Sequence, residues 1–387
     1  MAEGAANGTR MCFVATNQFY QITLNGLVTV TAVVAGVVGN LYSIGMVGKF
    51  RIGKAPMYYL VCLALWDIGV LVCALGYYAL QPFLATFNLH VAWLPYISYF
   101  AHGPLMTTTT GSVWTTIAIT VSRYGAISNP LRNRATSSAG KAKVACVALL
   151  LGALLYCMPC YFEIMLTTCI YNNETNQLSA ELFPTAMRRN PIYIMVYRMI
   201  FYMLFVSLVP FLAILTLSIH MIIILRRSFA LESSCSPHLV TNGQRTTAIL
   251  DRRRQSKQSK TSRLFVILFC KFLVCYWLPT TVMVSEALIG SQIYAQPFVL
   301  ILADVSNFFV IINSATNFAV YFWWKRNYGS KKKRRQNRTM RYDTHDNTFD
   351  SPSPATPALP LVLSYNSLRN MDHAASGSVR SLNIECR

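Results

Sequence analysis

Charge is scarce in this sequence. Asp, Glu, Lys and Arg make up 12% of the 387 residues, against 54% apolar residues and a mean hydropathy of +0.39. A soluble chain usually carries about 25% charged residues. Of the 14 acidic residues, only Asp67 falls well inside a long apolar run. Such a shortage suits a surface that faces lipid, where each charge costs kilocalories. The formal charge of +20 does not mark a nucleic-acid binder, because the basic residues sit between and after the apolar runs. They lack the interleaved aromatics of a base-stacking surface. A zinc framework is absent too: Cys157 and Cys160 have no second pair at metal spacing, and most of the 11 cysteines lie in apolar runs as small hydrophobes. The start, MAEGAANGTRMCFVATNQFYQ, lacks the basic region, apolar core and cleavage site of a secretory leader. The first apolar run is therefore expected to be its own insertion signal.

Long apolar runs are what the sequence does contain. A hydrocarbon core of about 30 Å needs roughly 20 helical residues, and runs of that kind fall at 23–48, 57–80, 96–124, 142–162, 192–225, 262–287 and 296–324. They are too long for strands and show no sustained alternation. The expectation is an all-α membrane protein, a seven-transmembrane helix bundle over 23–324. The short loops rich in Lys and Arg (Lys49, Arg51 and Lys54; Arg132, Arg134, Lys141 and Lys143; Arg226 to Arg263; KRNYGSKKKRRQNR) all fall on one side of such a bundle. By the positive-inside rule that side is cytoplasmic, which puts the N-terminus, 1–22, outside the plasma membrane. The sequons at Asn7 and Asn173 then face the glycosylating compartment, and the one at Asn337 does not. The tail 337–387, with SPSPATPALP and scattered serines, reads as disordered and cytoplasmic.

Each run carries a few polar or kinking residues. Asn40, Asp67, Ser112, Asn313 and Asn317 lie mid-run. A buried ionised Asp needs partners, a cation or a proton. Asp67, Ser112, Asn313 and Asn317 are placed to make a wet cluster that holds a small cation, sodium for instance. The plainer reading is that Asn and Ser glue helices together. Pro159, Pro210 and Pro279 each remove an amide donor and bend a helix. Trp277 stands just before Pro279 as a packing element beside a pivot. Lys271 is expected to snorkel to the cytoplasmic surface. Arg123 sits at the edge of hydrocarbon.

These residues carry a resemblance. Gly39–Asn40, the LALWD ending in Asp67, SRYGAISNPL around Arg123 and Tyr124, Pro210, the WLP of Trp277 to Pro279, and NFAVY from Asn317 to Tyr321 occur in one order. Over about residues 23–336 the chain resembles rhodopsin-like (class A) G-protein-coupled receptors. NSATNFAVY is similar to the invertebrate FMRFamide-type neuropeptide receptors. Tyr328 matches the aromatic that opens a short interfacial eighth helix, over 325–336.

The resemblance implies a receptor, not an enzyme, that binds an extracellular amidated FMRFamide-like peptide and activates a heterotrimeric G protein. Arrestin, receptor kinase and membrane lipid are its further expected partners. No cofactor is implied beyond a sodium ion as negative modulator. The expected activation switch is Arg123, Tyr124, Trp277, Pro279, Asn317 and Tyr321. Leu105 stands where amine receptors keep an aspartate, which argues against a monoamine. Glu163, Glu286 and Asp304 near the outer helix ends, with Tyr99, Leu105 and Trp277, are the expected ligand contacts. Four departures stand out: Ser122 replaces the acid before Arg123, Ser98 the Cys at the top of helix three, Ser218 a Tyr in helix five, and a Leu (149 or 150) the Trp of helix four. The first removes an ion pair and raises expected basal signalling. The second leaves Cys169 with Cys12 as a candidate outer partner. Another peptide or a lipid as ligand, a constitutively active orphan receptor, and a transporter or channel are the alternatives.

Overall fold

The computed structural model describes residues 10–11, 21–48, 54–87, 93–129, 138–172, 177–234, 242–289 and 297–324, with 89, 91 and 326. They belong to one unit, Met1–Ser330; the second, Lys331–Arg387, holds none of them. The sequons Asn7 and Asn173, the basic loop between helices three and four, Cys12, Tyr328, the tail, and the eighth helix apart from Arg326 lie outside the described residues.

Apolar length makes the helices. Gln21–Val28 is a π-helical turn that leads into α1, Thr29–Val47. Lys54–Ala74 forms α2, which continues through a π-helical turn at Leu75–Ala79 to Ala85. The third helix, α3, runs Leu94–Ser128. Ser138 caps α4, Ala139–Tyr156, by accepting the Lys141 amide at 3.2 Å; Pro159 then tightens the chain into a 3-10 turn over Met158–Phe162. Two π-helical segments, Ile194–Phe201 and Met203–Ser207, precede α5, Leu208–Ser234. The sixth helix, α6, runs Asn242–Ile289, so it starts 20 residues before the apolar run expected at 262. Arg, Gln and Lys in that extension are good helix formers. The seventh, α7, covers Pro297–Ala315 and resumes after Thr316 as Asn317–Trp324.

The all-α expectation needs one amendment. Ile164–Asn172 (β2) pairs antiparallel with Gln177–Pro184 (β3), and the short β1, Arg10–Met11, joins β2 in parallel with Arg10 opposite Cys169 and Met11 opposite Ile170. The β-branched run in IMLTTCIYN favours a strand, and a loop has no length threshold to reveal it.

Burial runs opposite to that of a soluble protein. On α1 the exposed stripe is Val34, Val38 and Leu41, while Gly36, Asn40 and Ser43 are buried. Among the described residues, six helical segments are long and apolar enough to cross a membrane: Thr23–Val47, Lys54–Ala85, Ala139–Phe162, Pro191–Arg227, Leu264–Glu286 and Phe298–Trp323. The exception is α3, whose threonines lower its hydropathy. They are tolerated because α3 is central, packing on α2, α4, α5 and α6. Thr107, Thr116 and Thr120 also return their hydroxyls to the carbonyls of Gly103, Ser112 and Thr116. The ring closes as α7 packs on both α6 and α1.

Two departures from the family pattern find packing reasons. Pro210 cannot donate to the preceding turn, and Trp114 of α3 donates its Nε1–H to the Phe205 carbonyl there at 2.8 Å. The same indole lies beside Gly152 of α4, 3.2 Å from where a Cβ would stand. Trp114 thus fills, from α3, the seam that a tryptophan on α4 would share. Ser98, in the place of the helix-three cysteine, donates to the Gly76 carbonyl at 3.0 Å within the π-helical turn of α2.

Candidate functional site

The polar residues singled out in the sequence converge in the middle of the bundle. Asp67 is fully buried, and Ser112 Oγ donates to its Oδ1 at 2.9 Å. Asn317 Nδ2 donates to the other carboxylate oxygen. Asn40 ties α1 to α7 through Nδ2, which donates to the carbonyls of Gly36 and Ser314, each at 2.9 Å. Four helices therefore meet at one hydrophilic centre.

Lys271 does not snorkel. Its ammonium turns inward from α6, donating to Asn317 Oδ1 at 2.6 Å and to the backbone carbonyl of Asn313. In an unbroken helix that carbonyl would serve the amide of Asn317, four residues on. Instead α7 is interrupted at Thr316, where a side chain inserted into the ladder accounts for a break that no proline makes. The sequence held a signal for this: Leu264, Leu268, Lys271 and Cys275 fall at helical spacing, and the other three are buried.

A resident sodium ion does not fit this arrangement. Hard cations take several oxygen ligands, but both oxygens of Asp67 and the oxygen of Asn317 already accept hydrogen bonds. Only Asn313 Oδ1 is buried without a partner among these four residues. The cavity of about 10 Å³ that touches Asn313 and Asn317 is otherwise lined by Leu63, Thr116, Ile119, Leu268, Phe269 and Phe272, and Asp67 is not part of its wall.

At one end of the bundle, Arg123 is buried and lies over the Phe265 ring of α6 at 4.1 Å from its centre. Among the described residues, its Nε and Nη2 have no hydrogen-bond partner. Tyr124 beside it faces His220 of α5 at 6.3 Å between rings, and Ser218 is buried with its hydroxyl unpartnered. Tyr321 is buried in the same apolar cluster as Phe265. Near Pro279, Trp277 is 51% exposed, and the buried aromatic is its neighbour Tyr276, stacked on Phe272 at 4.2 Å.

At the other end of the bundle, Glu163 is fully buried and gathers partners from three chain segments. Its Oε2 lies 3.3 Å from His102 Nε2, 3.4 Å from Arg198 and 3.7 Å from Arg188, and Tyr193 donates to Oε1 at 2.8 Å. Burial alone would raise its pKa, yet His102 and the two guanidinium groups hold the carboxyl below its ordinary value. Burial lowers the Arg188 pKa, with the positive charge of Arg198 adding to the effect, while Glu163 and Glu286 oppose it. None of His102, Arg188, Arg198 and Tyr193 stands out in the sequence, because their common partner is set by the fold. Asp304 sits apart, hydrogen-bonded to Asn25. Leu105 is buried in an apolar cluster with Val70 and Leu71, and Tyr99 stands edge-on to the exposed Phe100. The structure thus gathers Glu163, with Glu286 acting on the same arginines, and leaves Asp304 on a different partner.

Known proteins match this arrangement. The model of the 7 transmembrane receptor (rhodopsin family) matches residues 39–321. The chain is 26% identical over 296 residues to a protein of Drosophila melanogaster named FMRFamide receptor, covering 74% of this chain and 49% of that one. It is 24% identical over 284 residues to the FMRFamide peptide receptor frpr-18 of Caenorhabditis elegans, covering 68% and 60%. A probable G-protein coupled receptor of the same worm, frpr-1, is 26% identical over 51% of this chain and 41% of its own length. The matched region spans about half the length of these relatives. With a family model that runs from Gly39 of α1 to Tyr321 of α7, the chain belongs to the rhodopsin family of seven-transmembrane receptors, which are not enzymes.

Proposed function

We propose that this chain is a plasma-membrane receptor, N-terminus outside, for an amidated FMRFamide-like peptide, and that it activates a heterotrimeric G protein. The outer charge network carries the reading. Glu163 is shared between Arg188 and Arg198, and Glu286 acts on both arginines. Arg188 is the looser partner, at 3.7 Å with 30% of its side chain exposed. A ligand guanidinium can take its place at Glu163 without leaving a buried carboxylate unpaired. Tyr193, Tyr197 and Tyr77 supply aromatic faces around that point. Two relatives named as FMRFamide receptors support the same ligand class.

The signal passes inward by a shift of α6 that opens a cytoplasmic cleft at Arg123, and linkage requires the docked G protein to tighten peptide binding in return. In this reading α3 is the seventh crossing, residues 325–336 lie on the inner leaflet as an eighth helix, and arrestin and receptor kinase act on the tail. Calcium and cAMP readouts in expressing cells, challenged with Arg-Phe-amide peptides and their free-acid forms, test it. Amidated peptides that fire while the acids do not are expected. Inert Arg-Phe-amides beside other active peptides would remove the ligand assignment.

A further inference from the structure

We propose that Lys271 is the resident cation of the Asp67 site, a tethered ammonium that does the work of a diffusible metal ion and latches α6 to α7 in the closed arrangement. This goes beyond the peptide-receptor reading, and only its signalling consequence rests on that reading.

The geometry is a bridged ion pair. Asn317 stands between the charges, accepting from Lys271 through Oδ1 and donating to Asp67 through Nδ2. An amide so placed is polarised in one sense only, positive toward the carboxylate and negative toward the ammonium. Ser112 completes the second carboxylate oxygen from α3. One buried minus charge and one buried plus charge then balance within the bundle. A sodium ion entering there would meet a like charge and lose Asn317 Oδ1 as a ligand.

The latch also has a lever. Lys271 lies eight residues before Pro279, about 12 Å along the helix from the kink. Turning the cytoplasmic half of α6 about Pro279 by about 20° carries Lys271 roughly 4 Å, beyond the reach of any hydrogen bond. Opening α6 therefore requires the ammonium to leave both Asn317 and the Asn313 carbonyl. That frees the carbonyl for its own helix and leaves Asp67 without its countercharge. The closed state of this chain thus needs neither an acid beside Arg123 nor a sodium ion.

The experiment is thermal unfolding of the purified full chain in sodium chloride and in choline chloride at equal ionic strength. The unaltered protein is expected to melt at the same temperature in both. Lys271→Met should lower the midpoint in choline and regain a few degrees in sodium, which enters the vacated place. Asp67→Asn/Lys271→Met should melt above Lys271→Met in choline and ignore sodium. If Lys271→Met cannot be recovered folded, recovery of the double variant supports the pairing, and equal loss of both overturns it. Sodium-specific stabilisation of the unaltered protein, or additive effects of the two substitutions, also overturns it. In membranes, Lys271→Met is expected to raise basal binding of a GTP analogue several-fold over the unaltered chain. Should the melting results hold while every variant stays at the level of mock membranes, the tethered cation stands and the signalling reading falls.

Discussion

Arg123 of α3 lays its guanidinium over the ring of Phe265 of α6, 4.1 Å from the ring centre. The family's acid is absent at Ser122, and this ring takes the arginine's open face. A desolvated cation–π contact contributes about 2 kcal/mol, and unlike an ion pair to position 122, which would stay within α3, it joins α3 to α6. Phe265→Leu keeps the volume and removes the ring. It is expected to raise basal G-protein activation several-fold at equal surface expression, whereas Phe265→Trp should leave it near the starting level. Identical basal output from the Leu and Trp variants would show that the ring face does not hold the arginine.

Gly39 and Phe318 meet as closely as a glycine permits. A Cβ on Gly39 would stand 2.1 Å from the Phe318 ring, so the phenylalanine that occupies the usual proline position in α7 packs directly on α1. Gly39→Ala should therefore cost about 1–3 kcal/mol by overpacking. Phe318→Leu in the same chain should recover part of that loss, since a smaller side chain makes room for the methyl. Melting temperatures of the single and double variants decide the matter; strictly additive losses would mean the two residues do not share a seam.

Glu163 gives the outer mouth a pH dependence of definite sign. Its carboxyl is held below its ordinary value, near 4.3 in an open chain, by His102, Arg198 and Arg188. A group so depressed stabilises the fold above its unfolded pKa, and that contribution is lost as pH falls through the folded value. Melting temperature should drop on acidification below about pH 4.5. Glu163→Gln should melt lower at neutral pH, because two arginines lose their buried partner, and should show a shallower acid limb. An unchanged limb in that variant would place the acid sensitivity elsewhere.

Trp114 carries a hydrogen bond that spans α3 and α5 next to Pro210. Trp114→Phe leaves the Phe205 carbonyl without its donor and is expected to cost about 1–3 kcal/mol. A melting curve that superimposes on the unaltered one would show that another donor serves that carbonyl.

Much of the bundle was legible before any coordinates. Runs of apolar residues placed the helices to within a few residues, except where α5 runs on to Ser234 and α6 begins in a polar extension, which no lipid criterion detects. Asp67, Ser112 and Asn317 were readable as a cluster because each is polar in the middle of a span, and in the structure they are hydrogen-bonded together. Lys271 was misread for a physical reason. A lysine stem is long enough to reach either the membrane surface or the bundle interior, and its position along the helix is compatible with both. The hairpin over 164–184 escaped because a segment between two spans has no length requirement to announce it.

Composition and spacing, by themselves, determined that this chain lies in a membrane, where its helices run, and to which family its motifs belong. Those properties follow from local rules, since lipid tests each segment for length and polarity separately. Only the tertiary structure decided that Lys271 answers Asp67 through Asn317, that Phe265 covers Arg123, and that Glu163 collects His102, Arg188, Arg198 and Tyr193. Each of these partnerships joins residues far apart in the chain. Electrostatic interactions fall off with distance in space and take no account of separation in sequence.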